Sequence, residues 1–185
     1  PEVAYAGQGG LGDIKLHPDF ATNKVVYISY VEAGDNDTSG AVVAKGTLDL
    51  AKPAVEGLEV IWRALPKVTG GIHFSHRILF DAEGHMFVSA GERNNNAENP
   101  DMAPGQKLDN NLGKILRLDD NGKPAAGNPF AAQGGIAAEV WSMGHRNPLG
   151  LAFDPTGQLW NIEMAPRGGD ELNQVMAGAN FGYPY

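Results

Sequence analysis

Residues 144 to 148, "GHRNP", set His145, Arg146 and Asn147 side by side ahead of a proline and an apolar run. A guanidinium fork beside an amide suits recognition of carboxylates or carbonyls. The alternative is a salt-bridged arginine next to a turn asparagine. A second cluster, "GGIHFSHR", places His73 and His76 just before a strand-like stretch. Imidazole is suited to taking a proton from a hydroxyl, because histidine ordinarily titrates near neutrality. Glu92, in "SAGERNNN", is a carboxylate that could orient such a ring as the acid of a triad does, or simply a solvated loop charge. In "EMAPRGGDE" the carbonyls of Ala165 and Pro166 could converge on one point, and calcium accepts backbone oxygens; a plain turn reads the same way. Gln8, in "GQGGLGD", lies among glycines that permit close backbone approach or an ordinary turn.

Much chemistry is excluded. The chain has no cysteine, so disulfides, thiolate metal sites and cysteine nucleophiles are absent. Its formal net charge of −8 argues against a nucleic-acid surface, which works by exchanging counterions for Lys and Arg, and against an anionic membrane. No apolar run approaches the ~20 residues of a membrane span, and the opening "PEVAYAGQGG" lacks the basic and apolar regions of a signal peptide. Walker, His-Glu-x-x-His and Gly-x-Ser-x-Gly sequences are missing, and "DNNLGKILRLDDNG" lacks the offsets of an EF-hand loop.

The elements that must position these groups repeat. "LGDIKLHPDFATNKVVYISYVE", "HRILFDAEGHMFVSAGE" and "LGLAFDPTGQLWNIEMA" each join two alternating apolar segments through a turn. Period-two alternation is the mark of a half-buried strand. With His17, Asp81 and Asp154 as equivalent points, the spacings are 64 and 73 residues, which suits a four-stranded unit. The intervals hold the further strands, "AVVAKGTL" with "LEVIWRAL" and "GKILRLDD" with "AEVWSMGH"; "DELNQVMAGA" fits a short helix or a strand. The 25 glycines and 12 prolines, a fifth of the chain, supply the turns that many short strands need. The expected fold is all-β, a β-propeller of four-stranded antiparallel blades. Residues 1–185 would form a single domain of about two and a half blades, a portion of a longer chain, since closed propellers have about four to eight. Open blade edges predict a tendency to associate.

Taken in order, "GLGDIKLHPDF", "HFSHRILF", "LGKILRL", "GHRNPLGLAFDP" and "GGDELNQVMAGANFGYP" resemble the soluble quinoprotein sugar dehydrogenases of the glucose/sorbosone dehydrogenase family, in its aldose sugar dehydrogenase branch. The resemblance runs along essentially the whole chain. It implies a six-bladed propeller that binds pyrroloquinoline quinone (PQQ) and calcium on its axis and oxidises an aldose at the anomeric carbon to the lactone, passing electrons to an acceptor. By resemblance His73 falls at the general base and Glu92 at its carboxylate partner. Arg146 and Asn147 fall at the quinone contacts, Ala165 and Pro166 at the calcium-holding carbonyls, and Gln8 at a sugar contact. A periplasmic or secreted location is also implied.

Two departures, Ile72 where glucose-specific members carry an Asp and Leu149 where they carry a Gln, favour the broader-specificity branch. Rival readings are a calcium-dependent lactonase on a similar propeller, which would ligate metal through side-chain carboxylates and amides, and a non-catalytic binding propeller or inactive fragment.

Overall fold

The computed structural model describes residues 1–94 and 103–185. The first sheet has the order β1 (Leu11–Leu16), β2 (Val25–Ala33), β3 (Ser39–Asp49), β4 (Ala54–Arg63), with one short helix, α1 (Phe20–Asn23), between its first two strands. The second runs β5 (Ser75–Phe80), β6 (Met86–Ala90), β7 (Lys114–Leu118), β8 (Val140–Met143). The third contains β9 (Pro148–Phe153), β10 (Leu159–Glu163) and β11 (Glu171–Val175). All neighbouring strands are antiparallel. The first strands of the three sheets, β1, β5 and β9, lie side by side, the arrangement of propeller blades around an axis. The stretch "DELNQVMAGA", ambiguous from its pattern, forms β11 and pairs with β10 from Leu159↔Val175 to Glu163↔Glu171.

The repeat has a local physical cause. Asp81 Oδ1 accepts the amides of Glu83 (3.0 Å) and His85 (2.8 Å), and Asp154 Oδ1 accepts those of Thr156 (2.8 Å) and Gln158 (3.1 Å). Such side-chain acceptors stand in for a missing backbone partner and close the hairpin. His17 takes the equivalent part in the first sheet, its Nδ1 accepting from the Asp19 amide at 2.9 Å, with α1 lengthening that turn.

The middle sheet explains the packing. On β6 and β7 every residue is buried. Alternate side chains point to opposite faces, so Met86, Val88, Leu116 and Leu118 pack with Tyr27 and Trp62 of the first sheet. Phe87 and Ile115 pack the other way, against Leu159 and Val175 of the third. Ile162 and Leu172 on the third sheet remain largely exposed. No helix among the described residues is long and apolar enough to cross a membrane.

Candidate functional site

His73 precedes β5 and Glu92 follows β6, and the antiparallel pairing of Ser75 with Ala90 brings both to one end of the sheet. Both are buried, and His73 Nδ1 meets Glu92 Oε1 at 2.6 Å. A carboxylate accepts only, so Nδ1 carries the proton and Nε2 is the ring nitrogen left to receive one. Gly91 makes this approach feasible, because a Cβ there would overlap the His73 carbonyl. The backbone at His73 is left-handed, φ 54°, as it is at Ser75 and His76. Such positions cost about 1–3 kcal/mol each for non-glycine residues and persist where surrounding contacts hold them.

One of those contacts is Gln8, whose Oε1 accepts the His73 amide at 2.9 Å. The Gln8 main-chain N–H in turn donates to the Gly71 carbonyl at 2.6 Å, across a Gly7–Gly71 approach too close for a side chain. Gln8 therefore braces the backbone of His73 while also lining a hollow of about 250 Å³ with Phe74, Ser75, His76, Asn147 and Met164.

The Arg146–Asn147 pair is reached through the main chain: the Glu92 amide donates to the Arg146 carbonyl at 2.9 Å. What shapes this turn is Glu163, at the end of β10 and in register with Pro148. One oxygen takes the Arg146 amide and the Asn147 amide (3.2 Å); the other takes His145 Nδ1 (2.9 Å) and Asn161 Nδ2 (3.2 Å). Burial alone would raise the Glu163 carboxyl, but the donors around it, His145 foremost, hold it below the ordinary carboxylate range. Sequence reasoning missed Glu163; the available signal was an acid ending the apolar strand opposite "HRNP". His145 is fully buried, with Ser142 Oγ at 2.8 Å from Nε2 and the Phe181 ring stacked 4.6 Å away.

Asn147 Oδ1 accepts the Ser75 hydroxyl at 2.9 Å, tying the turn to the strand that follows His73. Arg146 Nη1 donates to the Met164 carbonyl at 2.8 Å, whereas its Nε is buried and has no hydrogen-bond partner among the described residues. The second oxygen of Glu92 is likewise buried and unpartnered. Ala165 and Pro166 line a separate small hollow of about 100 Å³ with Arg146, Glu163, Met164 and Tyr183. The Ala165 amide is held by Asp170 Oδ1 at 3.1 Å. Met164 borders both hollows, and neither His73 nor Glu92 lines either of them.

His76 has a different role from His73. Burial, with Arg77 adding to it, pushes its imidazole down to about 4, and the neutral ring sits 3.0 Å from Ser29 Oγ. The same hydroxyl donates to the His76 carbonyl at 2.7 Å, so this pair pins the first sheet to the second.

The geometry has close counterparts. A crystal structure of the soluble aldose sugar dehydrogenase from Escherichia coli in its apo form superposes with a TM-score of 0.92 at 41% identity, covering all of this chain and 52% of that one. The PQQ-bound aldose sugar dehydrogenase from Streptomyces coelicolor superposes at 0.85 with 33% identity, covering all of this chain and 51% of that one. Among curated proteins, the aldose sugar dehydrogenase YliI of Escherichia coli is 42% identical over 187 residues, which is all of this chain and 48% of YliI. The chain thus spans about half the length of these relatives. The profile of the Glucose / Sorbosone dehydrogenase family matches residues 1–185, and the chain belongs to that family.

Proposed function

We propose that the protein containing this chain is a PQQ- and calcium-dependent aldose sugar dehydrogenase in which His73 is the general base. The observation that carries this reading is the route of two hydrogen bonds from base to cofactor turn. His73 is gripped by Glu92, and the Glu92 amide is hydrogen-bonded to Arg146, whose Nε is a buried donor lacking a partner among the described residues. An orphaned guanidinium N–H costs free energy unless a ligand satisfies it, and a quinone carbonyl fits that need. Bound PQQ would supply the two-electron acceptor, taking the hydride from the anomeric carbon as the lactone forms. His73 Nε2 takes the proton of the anomeric hydroxyl, and Glu92 stabilises the resulting imidazolium. Arg146 offsets negative charge as it develops, which is effective because its turn is already fixed by Glu163. Asn147, with Oδ1 committed to Ser75, has its side-chain Nδ2 left for the cofactor, and Gln8, with Oε1 committed to His73, has its side-chain Nε2 left for the sugar.

Ala165 and Pro166 would hold calcium through their carbonyls at the hollow beside Arg146. The hollow suits a hard cation, being bordered by the carboxylates of Glu163 and Glu171 as well. Glu163 is saturated by four protein donors and so is an electrostatic neighbour of the ion, not a ligand. Glu163 is therefore not available to the set of side-chain ligands that the lactonase alternative needs. A periplasmic or secreted location, an external electron acceptor and coverage of the exposed Ile162–Leu172 face by further chain complete the reading. The test is reconstitution of the complete protein with PQQ and calcium, followed by dye reduction with a panel of aldoses. Turnover that needs both additions is expected; lactone hydrolysis with calcium alone and no dye reduction would refute the proposal.

A further inference from the structure

We propose that Arg93 is a positioning residue for the His73 base, holding the backbone ahead of it and the Phe74 ring just after it while Glu92 holds the imidazole. The inference rests on the reading of His73 given above. Arg93 is buried, and its guanidinium is spent on the segment around His73. Nε donates to the Ile72 carbonyl at 2.9 Å and Nη2 to the Gly70 carbonyl, both just ahead of the base. On the far side, the guanidinium carbon lies 3.6 Å from the centre of the Phe74 ring. Nη1 donates to the Ser39 carbonyl at 2.7 Å, which anchors the whole grip to the start of β3 in the neighbouring sheet.

Two adjacent residues therefore divide one task. Glu92 fixes the imidazole through Nδ1, and Arg93 fixes residues 70–74 through carbonyls and a ring face. The need for such a grip is visible in the backbone, since His73 is left-handed at φ 54° and Arg93 itself at φ 68°. Only arginine offers three forked donors and a flat face at once; a lysine ammonium can bond the same carbonyls but supplies no plane to stack. Burial draws the Arg93 guanidinium down to about 10, which leaves it charged at neutral pH.

The experiment uses the complete protein with Arg93→Gln and Arg93→Lys. The molecule carries its own control, because His145 Nδ1 is paired with Glu163 at 2.9 Å and Arg93 bonds to neither. The low-field proton signals of the two histidine Nδ1–H groups, assigned with labelled histidine and His73→Gln, report the two pairs separately. In Arg93→Gln the His73 signal is expected to broaden or move upfield while the His145 signal stays. In the reconstituted enzyme kcat is expected to fall about 10- to 100-fold, as misplacement of a reacting group by a fraction of an ångström does. KM is expected to stay within about twofold, the split that marks a loss confined to the transition state. Arg93→Lys is expected to restore part of both. An unchanged His73 signal with unchanged kcat, or equal loss of both signals together with a lowered Tm, would overturn the proposal. Should Arg93→Gln fail to fold, Arg93→Lys with a normal signal and normal kcat overturns it as well. Absence of sugar oxidation by the unsubstituted protein would instead sink the functional reading, while the spectroscopic arm still judges the link between Arg93 and His73.

Discussion

His73 Nδ1 and Glu92 Oε1 stand 2.6 Å apart, and the other oxygen of Glu92 is buried without a partner among the described residues. The carboxylate is thus devoted to one ring nitrogen, which fixes both the tautomer and the direction of Nε2.

Glu92→Gln keeps the shape and a hydrogen-bond acceptor but removes the charge that stabilises an imidazolium. In the reconstituted complete protein it is expected to lower kcat by roughly 10²- to 10⁴-fold, the range for losing general acid–base assistance. PQQ affinity, read by absorbance titration, should remain close to that of the unsubstituted protein. Near-normal turnover would show that proton removal does not pass through this pair.

Glu163 gathers donors from His145, Arg146, Asn147 and Asn161. Glu163→Gln forces an amide N–H against at least one of them, and is expected to cost about 2–4 kcal/mol in urea denaturation, as loss of a buried charged acceptor does. PQQ affinity should weaken in parallel, because Arg146 and Asn147 lose the anchor that shapes their turn. Stability lost with affinity retained would mean that the turn holds its form without the carboxylate.

Acid should loosen the contact between the first two sheets through His76. Its imidazole lies at about 4 when folded, against 6.5 when free, so between those values the unfolded chain binds the proton and the folded one does not. Stability is then fully present above the unfolded value and is lost as pH falls from about 6.5 to about 4. The loss amounts to roughly 3 kcal/mol at about 1.4 kcal/mol per pKa unit. Glu163, held below its ordinary value of 4.5, adds a loss of the same sign at lower pH. Urea midpoints across this range should slope in the natural sequence and flatten in His76→Gln. Equal slopes in the two proteins would place the acid sensitivity elsewhere.

Strand alternation made the blades legible in the sequence. "HRILFDAEGHMFVSAGE" and its two counterparts became β5–β6, β1–β2 and β9–β10, with Asp81, His17 and Asp154 at equivalent turns. The stretch at 170–179 was ambiguous because β11 buries only Val175 fully, so its pairing with β10 and not its own periodicity settles it as a strand. Gln8, His73, Glu92, Arg146, Asn147, Ala165 and Pro166 were picked out by residue type and by resemblance. Glu163 and Arg93 were not, for a common reason. A charged residue reads as solvated along the chain, and its burial appears only when partners about 20 or more than 50 residues away, such as Ile72 and Ser39 for Arg93, are brought to it.

The bond from the Glu92 amide to the Arg146 carbonyl involves no side chain at all. The interval between Glu92 and the Arg146 turn is therefore a property of the main chain and does not depend on which side chains stand there. Side chains near that strut are free to diverge. Ile72, which offers only its carbonyl to Arg93, and Leu149, which offers only its carbonyl to Arg77 at 2.7 Å, can each be exchanged while the backbone bonds persist. Sequence can drift at such positions over generations while the spacing of Glu92 from Arg146 is inherited intact.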